Sequence, residues 1–330
     1  MSNSPEPQQP PKVNARVQVI IPTYNAAPYL EDLLPALTGA AQLQPLDVMF
    51  VDSSSTDGTP ERIQQAGFQL QQIKKATFDH GGTRAMAARQ TSADIVVFMT
   101  QDALLVDEYA ISKLIAAFED PQVAAAYGRQ LAYPGTNIFG QHLRAFNYPS
   151  QSIRRTWEDR TYVGLKAAFL SNSFAAYRRS AMQEIGWFSD GLILGEDTQA
   201  AARLLQRGGA IQYVADACVY HSHSYRIIEE FRRYFDIGAF HSMNPWLLEA
   251  FGKAEGEGMR YIRSELQFLN QHKKLHKVPE FILRSGMKYL GYRLGRSYRS
   301  LSPRVIQTFS MHAGWWRKAS PNQMNSNGLS

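Results

Sequence analysis

Five groups of residues in this chain have the types and spacing to do chemistry. Asp52 ends an apolar run and precedes Ser53-Ser54-Ser55-Thr56-Asp57-Gly58. A carboxylate at such an edge can accept the N3–H of uracil or thymine, although the segment alone is also ordinary turn chemistry. In Asp79-His80-Gly81-Gly82-Thr83-Arg84, a glycine loop entering a helix offers backbone N–H groups to an anion, and Arg84 can neutralise phosphate. Gln101-Asp102-Ala103 is the polar exit of a buried apolar run, where an acid can also simply cap a helix. Glu196-Asp197 stands at a helix start, where free N–H groups hold carboxylates and lower their pKa. His221 and His223 follow a short strand, and residues two apart on extended chain face the same way. Two such imidazoles can bind Mn²⁺ readily and Mg²⁺ less so, though lone histidines are also common polar loop residues.

The elements that must position these groups alternate strand and helix through the first third. Strands are expected at 17–21, 47–51, 68–74, 94–100 and 123–127, and helices at 29–43, from Thr59, after Arg84 to about Thr91, and at 107–119. Pro35 must fall near the start of its helix or kink it. Thr59-Pro60-Glu61 is a strong helix start, and Gly67 the stop. Loops are expected over 131–160, which carries Pro134, Gly135, Gly140 and Pro149. A strand over 167–177 and a short helix over 178–185 follow. A helix then runs from Glu196 to Gln206, stopped by Gly208-Gly209, with strands at 211–214 and 218–220 and helix from Arg226 onward. Buried parallel strands ending in polar loops make a crevice at the carboxyl edge of an open α/β sheet, where ligands bind.

The first strand ends in Pro22-Thr23-Tyr24-Asn25 and the second in Asp52. With the later motifs in order over roughly 16–240, the chain resembles the family 2 inverting glycosyltransferases. The resemblance implies an α/β GT-A fold, a Rossmann-like open mixed sheet flanked by helices, with a helical C-terminal extension. It implies a nucleotide-sugar site at Pro22, Thr23, Tyr24, Asn25, Asp52, His80, Gly81, Gly82, Arg84, Gln101 and Asp102. The family usually has a D-x-D triplet that holds Mg²⁺ or Mn²⁺ on the donor phosphates. Here the triplet is Gln101-Asp102-Ala103, so one carboxylate is missing, and the resemblance names Asp102 with His221 or His223 as metal ligands. It makes Asp197 the base and Glu196 its support or a contact to the acceptor, and Trp187 and Phe188 could stack on the acceptor sugar; as core residues they would be equally ordinary. The Thr100-Gln101-Asp102-Ala103 form and His80-Gly81-Gly82-Thr83-Arg84 are similar to those of rhamnosyltransferase-like members, which implies dTDP-β-L-rhamnose as donor and a surface-polysaccharide glycan as acceptor.

The bulk composition is globular, with 44% hydrophobic and 19% charged residues in 330. Cys218 is the single cysteine, so no intramolecular disulfide forms, which suits a cytoplasmic setting. No signal peptide or membrane span is expected. Residues 1–15 and 320–330 read as loose tails, flanking a catalytic domain at 16–240 and a basic helical extension at 241–319. Residues 270–318 carry eleven Lys/Arg against Glu280 alone, a net of +10 in a chain of +6. Phe281, Tyr289, Tyr298, Trp315 and Trp316 are interleaved there, which suits an anionic membrane surface. A lipid-linked glycan acceptor and a peripheral position on the inner face of the membrane follow, with no nucleic acid expected. Two alternatives stay open: a UDP-hexose donor, and a non-catalytic basic protein binding nucleic acid or glycan on a degenerate transferase scaffold.

Overall fold

The computed structural model describes residues 13–252 and 255–318. The expected tails at 1–15 and 320–330 lie almost wholly outside them. The first half alternates β1 (Val17–Thr23), α1 (Ala27–Leu43), β2 (Asp47–Asp52), α2 (Thr59–Gln65), β3 (Gln69–Gln72), α3 (His80–Gln90), β4 (Ile95–Met99), β5 (Leu104–Leu105), α4 (Ala110–Ile115) and β6 (Val123–Leu131). Then come α5 (Ile138–Asn147), β7 (Ile153–Arg155), α6 (Arg160–Val163), β8 (Phe174–Arg178), α7 (Arg179–Glu184), α8 (Glu196–Gln206) and β9 (Ala210–Tyr220). The chain closes with α9 (Ile227–Met243), α10 (Pro245–Phe251), α11 (Glu255–Gln271), α12 (Val278–Arg296), α13 (Pro303–Phe309) and α14 (Ala313–Lys318).

The nine strands form one mixed sheet in the order β3-β2-β1-β4-β8-β6-β9-β5, with β7 on β9. β1 to β4 pair in parallel, and β8 inserts antiparallel between β4 and β6. Alternate residues feed opposite faces, as a pleated strand requires. Ile20, Val96 and Phe98 enter one apolar core, and Val19, Ile21, Val97 and Met99 the other.

Several boundaries differ from the sequence reading for physical reasons. Proline removes one helix hydrogen bond, yet Pro35 lies inside α1, whose Leu30, Leu33, Leu34 and Leu37 are buried and hold it in place. The loop expected over 131–160 contains α5, capped by the Asn137 side chain on Gly140 N. The strand expected over 167–177 forms only at Phe174–Arg178, preceded by a 3₁₀ turn at Gly164–Ala168. The two strands expected at 211–214 and 218–220 are one strand, β9, with an irregularity against β6. The expected domain boundary at 240 falls inside α9. Tyr298, Ile306 and Trp316 share the core that holds Ile20 and Phe98.

Candidate active site

Strand register brings Asp102 to the two histidines. Leu104, two residues past Asp102, pairs with Tyr220, and His221 follows directly. The turn after β9 is pinned from the opposite side. Ser222 Oγ accepts from Tyr133 N at 2.9 Å, and Ser224 Oγ accepts from Asn137 N at 3.1 Å. His221 Nε2 lies 3.5 Å and His223 Nε2 3.8 Å from Asp102 Oδ2. One ligand atom from each residue falls within 4.8 Å of the others.

Gln130, a polar residue inside β6 that the sequence reading passed over, decides how this cluster is protonated. Its Oε1 accepts from Arg144, a group that can only donate, and its Nε2 donates to Ser171 Oγ at 3.1 Å. The amide is therefore fixed, and the Oε1 that faces His221 Nδ1 at 2.9 Å is an acceptor. Nδ1 carries the proton, so Nε2 presents a lone pair toward the Asp102 carboxylate. Two acceptors at this spacing need a positive charge between them: a second proton on His221, or a cation. Burial alone would raise the Asp102 pKa, but with positive charge on the histidine side and a hydrogen bond from Thr100 it lies well below the carboxylate range. Burial and the neighbouring His221 lower His223 to about 4, which keeps that ring neutral and able to ligate. One carboxylate and two imidazoles fit a divalent ion such as Mn²⁺ with positions left for phosphate oxygens.

The second cluster forms at the start of α8, as expected. Gly195 takes a left-handed conformation with φ 79° and opens the helix whose first two residues are Glu196 and Asp197. Glu196 is buried, and its Oε1 accepts from Arg84 Nη1 at 3.3 Å and from Asn172 Nδ2 at 3.2 Å. Burial opposes its ionisation, but Arg84, His80 and Asn172 outweigh that and lower its pKa. Asp197 stays partly exposed and accepts from Thr198 N at 2.7 Å and Asn172 N at 3.3 Å. Desolvation first, then the neighbouring Glu196 charge, push it up to about 7. The pair shares its charge unequally, so Glu196 stays ionised while Asp197 can take or release a proton near neutrality.

The two clusters are joined by the loop before β8. Pairing of Met99 with Phe174 sets that loop beside the β4 exit, where Thr100 N donates to Ser173 O at 3.3 Å. Ser171 of the loop holds Gln130, and Asn172 holds both Glu196 and Asp197. Tyr177 OH fixes the Asn172 amide at 2.7 Å. Asn172 and Ser171 escaped the sequence reading; the signal was a polar Ser-Asn-Ser break inside the apolar 167–177 run.

Other expected site residues stand differently. Asp52 is 0% exposed, and Thr23 Oγ1, Ser55 N and Ser55 Oγ donate to its carboxylate at 3.2, 2.9 and 2.5 Å. It ties the ends of β1 and β2 together, a structural duty beside the base-reading role expected of it. Gly81 and Gly82 are not a loop but the first turn of α3, and Asp79 caps Gly82 N at 2.6 Å. A side chain on Gly81 would collide with the Ser189 carbonyl, so glycine here allows close packing. Arg84 is 4% exposed and serves Glu196, which corrects its assignment to phosphate. His80, beside it, makes edge contacts with Phe78 and with His312 from the C-terminal part. Trp187 and Phe188 are core residues, with Phe188 edge-on to Phe98 and Tyr177, which corrects their acceptor role. Tyr24 remains on the crevice rim, 40% exposed, under Lys75. Its backbone is clasped by Gln101, which accepts from Tyr24 N at 2.8 Å and donates to Tyr24 O at 3.1 Å. Asn25, with φ 49°, turns the loop and accepts from Thr56 N at 3.1 Å, while Pro22 stays in β1.

A cavity of about 500 Å³ opens beside His223, lined by Ser222, Tyr225, Glu229, Arg232 and Met311. Another of about 370 Å³ lies beside Gln101 and Tyr133. The model of Glycosyl transferase family 2 matches residues 18–186. The chain belongs to that family. It is therefore a glycosyltransferase, and the mixed sheet with its flanking helices is the GT-A fold. Two relatives match about nine-tenths of the chain. The O-antigen chain rhamnosyltransferase RfbN of Salmonella typhimurium is 41% identical, over 91% of this chain and 96% of the relative. The O-antigen chain rhamnosyltransferase WbaN of Salmonella anatum is 40% identical, over 90% and 95%. The mannosyltransferase PcManGT of Pyrobaculum calidifontis, solved with GDP-Man and Mn²⁺, is 20% identical with a TM-score of 0.55 over 96% of this chain and 92% of that one. That likeness shows the fold. Among the described residues no helix is long and apolar enough to cross a membrane.

Proposed function

We propose that this chain transfers L-rhamnose from dTDP-β-L-rhamnose to a glycan hydroxyl, with inversion, in O-antigen-type polysaccharide assembly. The observation that carries the reaction is Asp197, proton-poised near neutrality and joined through Asn172, Ser171 and Gln130 to the Asp102–His221–His223 cluster. The donor assignment rests on the two rhamnosyltransferase relatives, which match about nine-tenths of the chain.

Asp102, His221 and His223 would hold the divalent ion, which supplies charge neutralisation of the departing diphosphate. Asp197 accepts the proton from the acceptor hydroxyl as its oxygen bonds to the anomeric carbon. The bond from that carbon to the diphosphate oxygen breaks in the same displacement, and the electron pair leaves with the nucleotide. Glu196 stays charged on Arg84 and keeps Asp197 basic enough for the task. The exposed Tyr24 ring, carried on the loop that Gln101 clasps, offers a stacking face for the base. The acceptor in this reading is a glycan on a lipid carrier at the inner face of the membrane, which the basic C-terminal part supports.

A thermal-shift and hydrolysis panel tests the donor. dTDP-rhamnose with Mn²⁺ or Mg²⁺ should raise the melting temperature and be slowly hydrolysed, and UDP-glucose, UDP-GlcNAc and GDP-mannose should do so less. A larger response to a UDP-hexose would overturn the donor, and no response to any nucleotide sugar would overturn the reaction.

A further inference from the structure

Helix α12 is built inside out. Apart from Phe281 at its start, its inward face carries charge and glycine. Arg284 and Lys288 are buried there, and both pair with Glu230 of α9, at 3.1 and 3.6 Å. Gly291 and Gly295 let the helix lie directly on the backbone of α9, because a side chain at either would strike the Phe231 or Phe235 carbonyl. The outward face is apolar. Ile282, Leu283, Tyr289 and Leu290 are 62%, 54%, 66% and 48% exposed, and with Gly286 they recur at the spacing of one helix face. Buried cations with exposed aliphatics reverse the usual order of a surface helix, and nothing in α9 requires apolar groups on the far side.

Charge decides what covers this face. Arg293 is exposed on the same stripe, and Lys273 and Lys274 are exposed just before the helix. The only acids between 258 and 318 are Glu265, which is buried, and Glu280, which is paired with Lys277 and Arg284. A second copy of the chain would set this cationic border against itself across a two-fold axis. An anionic bilayer would neutralise it while taking up the aliphatic groups at the headgroup boundary.

We propose that the outward face of α12 is an interfacial docking surface for anionic lipid, with Ile282, Leu283, Tyr289 and Leu290 inserted and Lys273, Lys274 and Arg293 at the headgroups. This deepens the membrane placement in the functional reading and names the face that makes it. The inner side of the same helix touches the site: Arg284 Nη1 donates to the Tyr225 carbonyl at 3.0 Å, two residues past His223. Membrane contact on one side of α12 thus sits one helix thickness from the loop carrying the candidate ligands.

The test is sedimentation of the full chain with vesicles of phosphatidylcholine, with and without three-tenths phosphatidylglycerol. The wild type should bind the anionic vesicles, and the binding should fall as salt rises. The variant Ile282→Gln/Leu283→Gln/Tyr289→Gln/Leu290→Gln should lose about tenfold or more of that partition. Because these side chains are exposed, its melting temperature and its shift with dTDP-rhamnose and Mn²⁺ should match wild type. Lys273→Gln/Lys274→Gln/Arg293→Gln should lose the salt dependence. Unchanged partition of the four-residue variant overturns the proposal, as does equal binding of wild type to neutral vesicles. A wild-type dimer that the variant splits, with no vesicle binding, would reassign the face to self-association. A donor panel that fails while vesicle binding depends on this face would strike the proposed transfer and leave the docking surface standing.

Discussion

Gln130 Oε1 accepts the Nδ1 proton of His221 at 2.9 Å, and this one bond leaves the opposite ring nitrogen as a lone pair 3.5 Å from the Asp102 carboxylate. The orientation is fixed from behind, because Arg144 and Ser171 hold the Gln130 amide in a single sense. A buried amide on a neighbouring strand thereby turns an ordinary histidine into a candidate ligand, its free nitrogen facing Asp102.

Replacing Gln130 with Ala should weaken Mn²⁺ binding by about 10- to 100-fold, the usual effect of removing a partner that orients a ligating histidine. Titration calorimetry with Mn²⁺ and nucleoside diphosphate measures it. Unaltered affinity would remove Gln130 as the orienting group.

Loss of the cation should matter as much as loss of its ligand. Excess EDTA should suppress turnover, and Asp102→Ala should weaken nucleotide binding when Mn²⁺ is present but not in its absence. Full activity in EDTA would show that the Asp102–His221–His223 cluster works as a proton-bridged ion pair.

Asp197→Asn should lower kcat by about 10²- to 10⁴-fold, the range for a general base. Donor affinity should hold, because no donor contact is assigned to that side chain. Equilibrium binding of the donor beside single-turnover transfer separates the two. Transfer at a wild-type rate would exclude Asp197 as the base.

The raised pKa of Asp197 sets two opposite pH trends. Turnover should climb as pH passes about 7, where the carboxylate loses its proton and becomes able to accept one. Its contribution to stability runs the other way. The unfolded chain releases this proton from about 4 upward, whereas the folded chain keeps it to about 7. The folded state therefore loses stability across that window and changes no further above it. Asp197→Asn should flatten the slope in denaturant melts between those limits; an unchanged slope would place the titration elsewhere.

Arg84→Leu should cost about 3–5 kcal/mol, because it leaves Glu196 charged, buried and without its cationic partner. Urea melts of this variant beside Arg84→Leu/Glu196→Gln provide the check. The second change should restore part of the loss, since it removes the charge that the first one stranded. An Arg84 that serves a donor phosphate instead of Glu196 would show no such recovery.

The sequence by itself determined the βαβ half of the sheet, because 17–21, 47–51 and 94–100 are apolar runs closed by turn and cap residues that need no distant partner. It determined that Asp197 and Glu196 open a helix, since Gly195 and the acids around it act within one turn. The nearness of His221 and His223 to each other was legible for the same local reason. What only the tertiary structure decided is which side chains face the crevice. Asp52 stands at the expected strand end, yet Ser55 and Thr23 close over it, and local spacing carries no record of that closure. Arg84 follows the expected glycines, yet a helix packed from 112 residues away claims its charge. Gln130, Asn172 and the exposed face of α12 gain their meaning from strand register and helix crossing, which couple residues far apart in the chain through contacts that no short window contains.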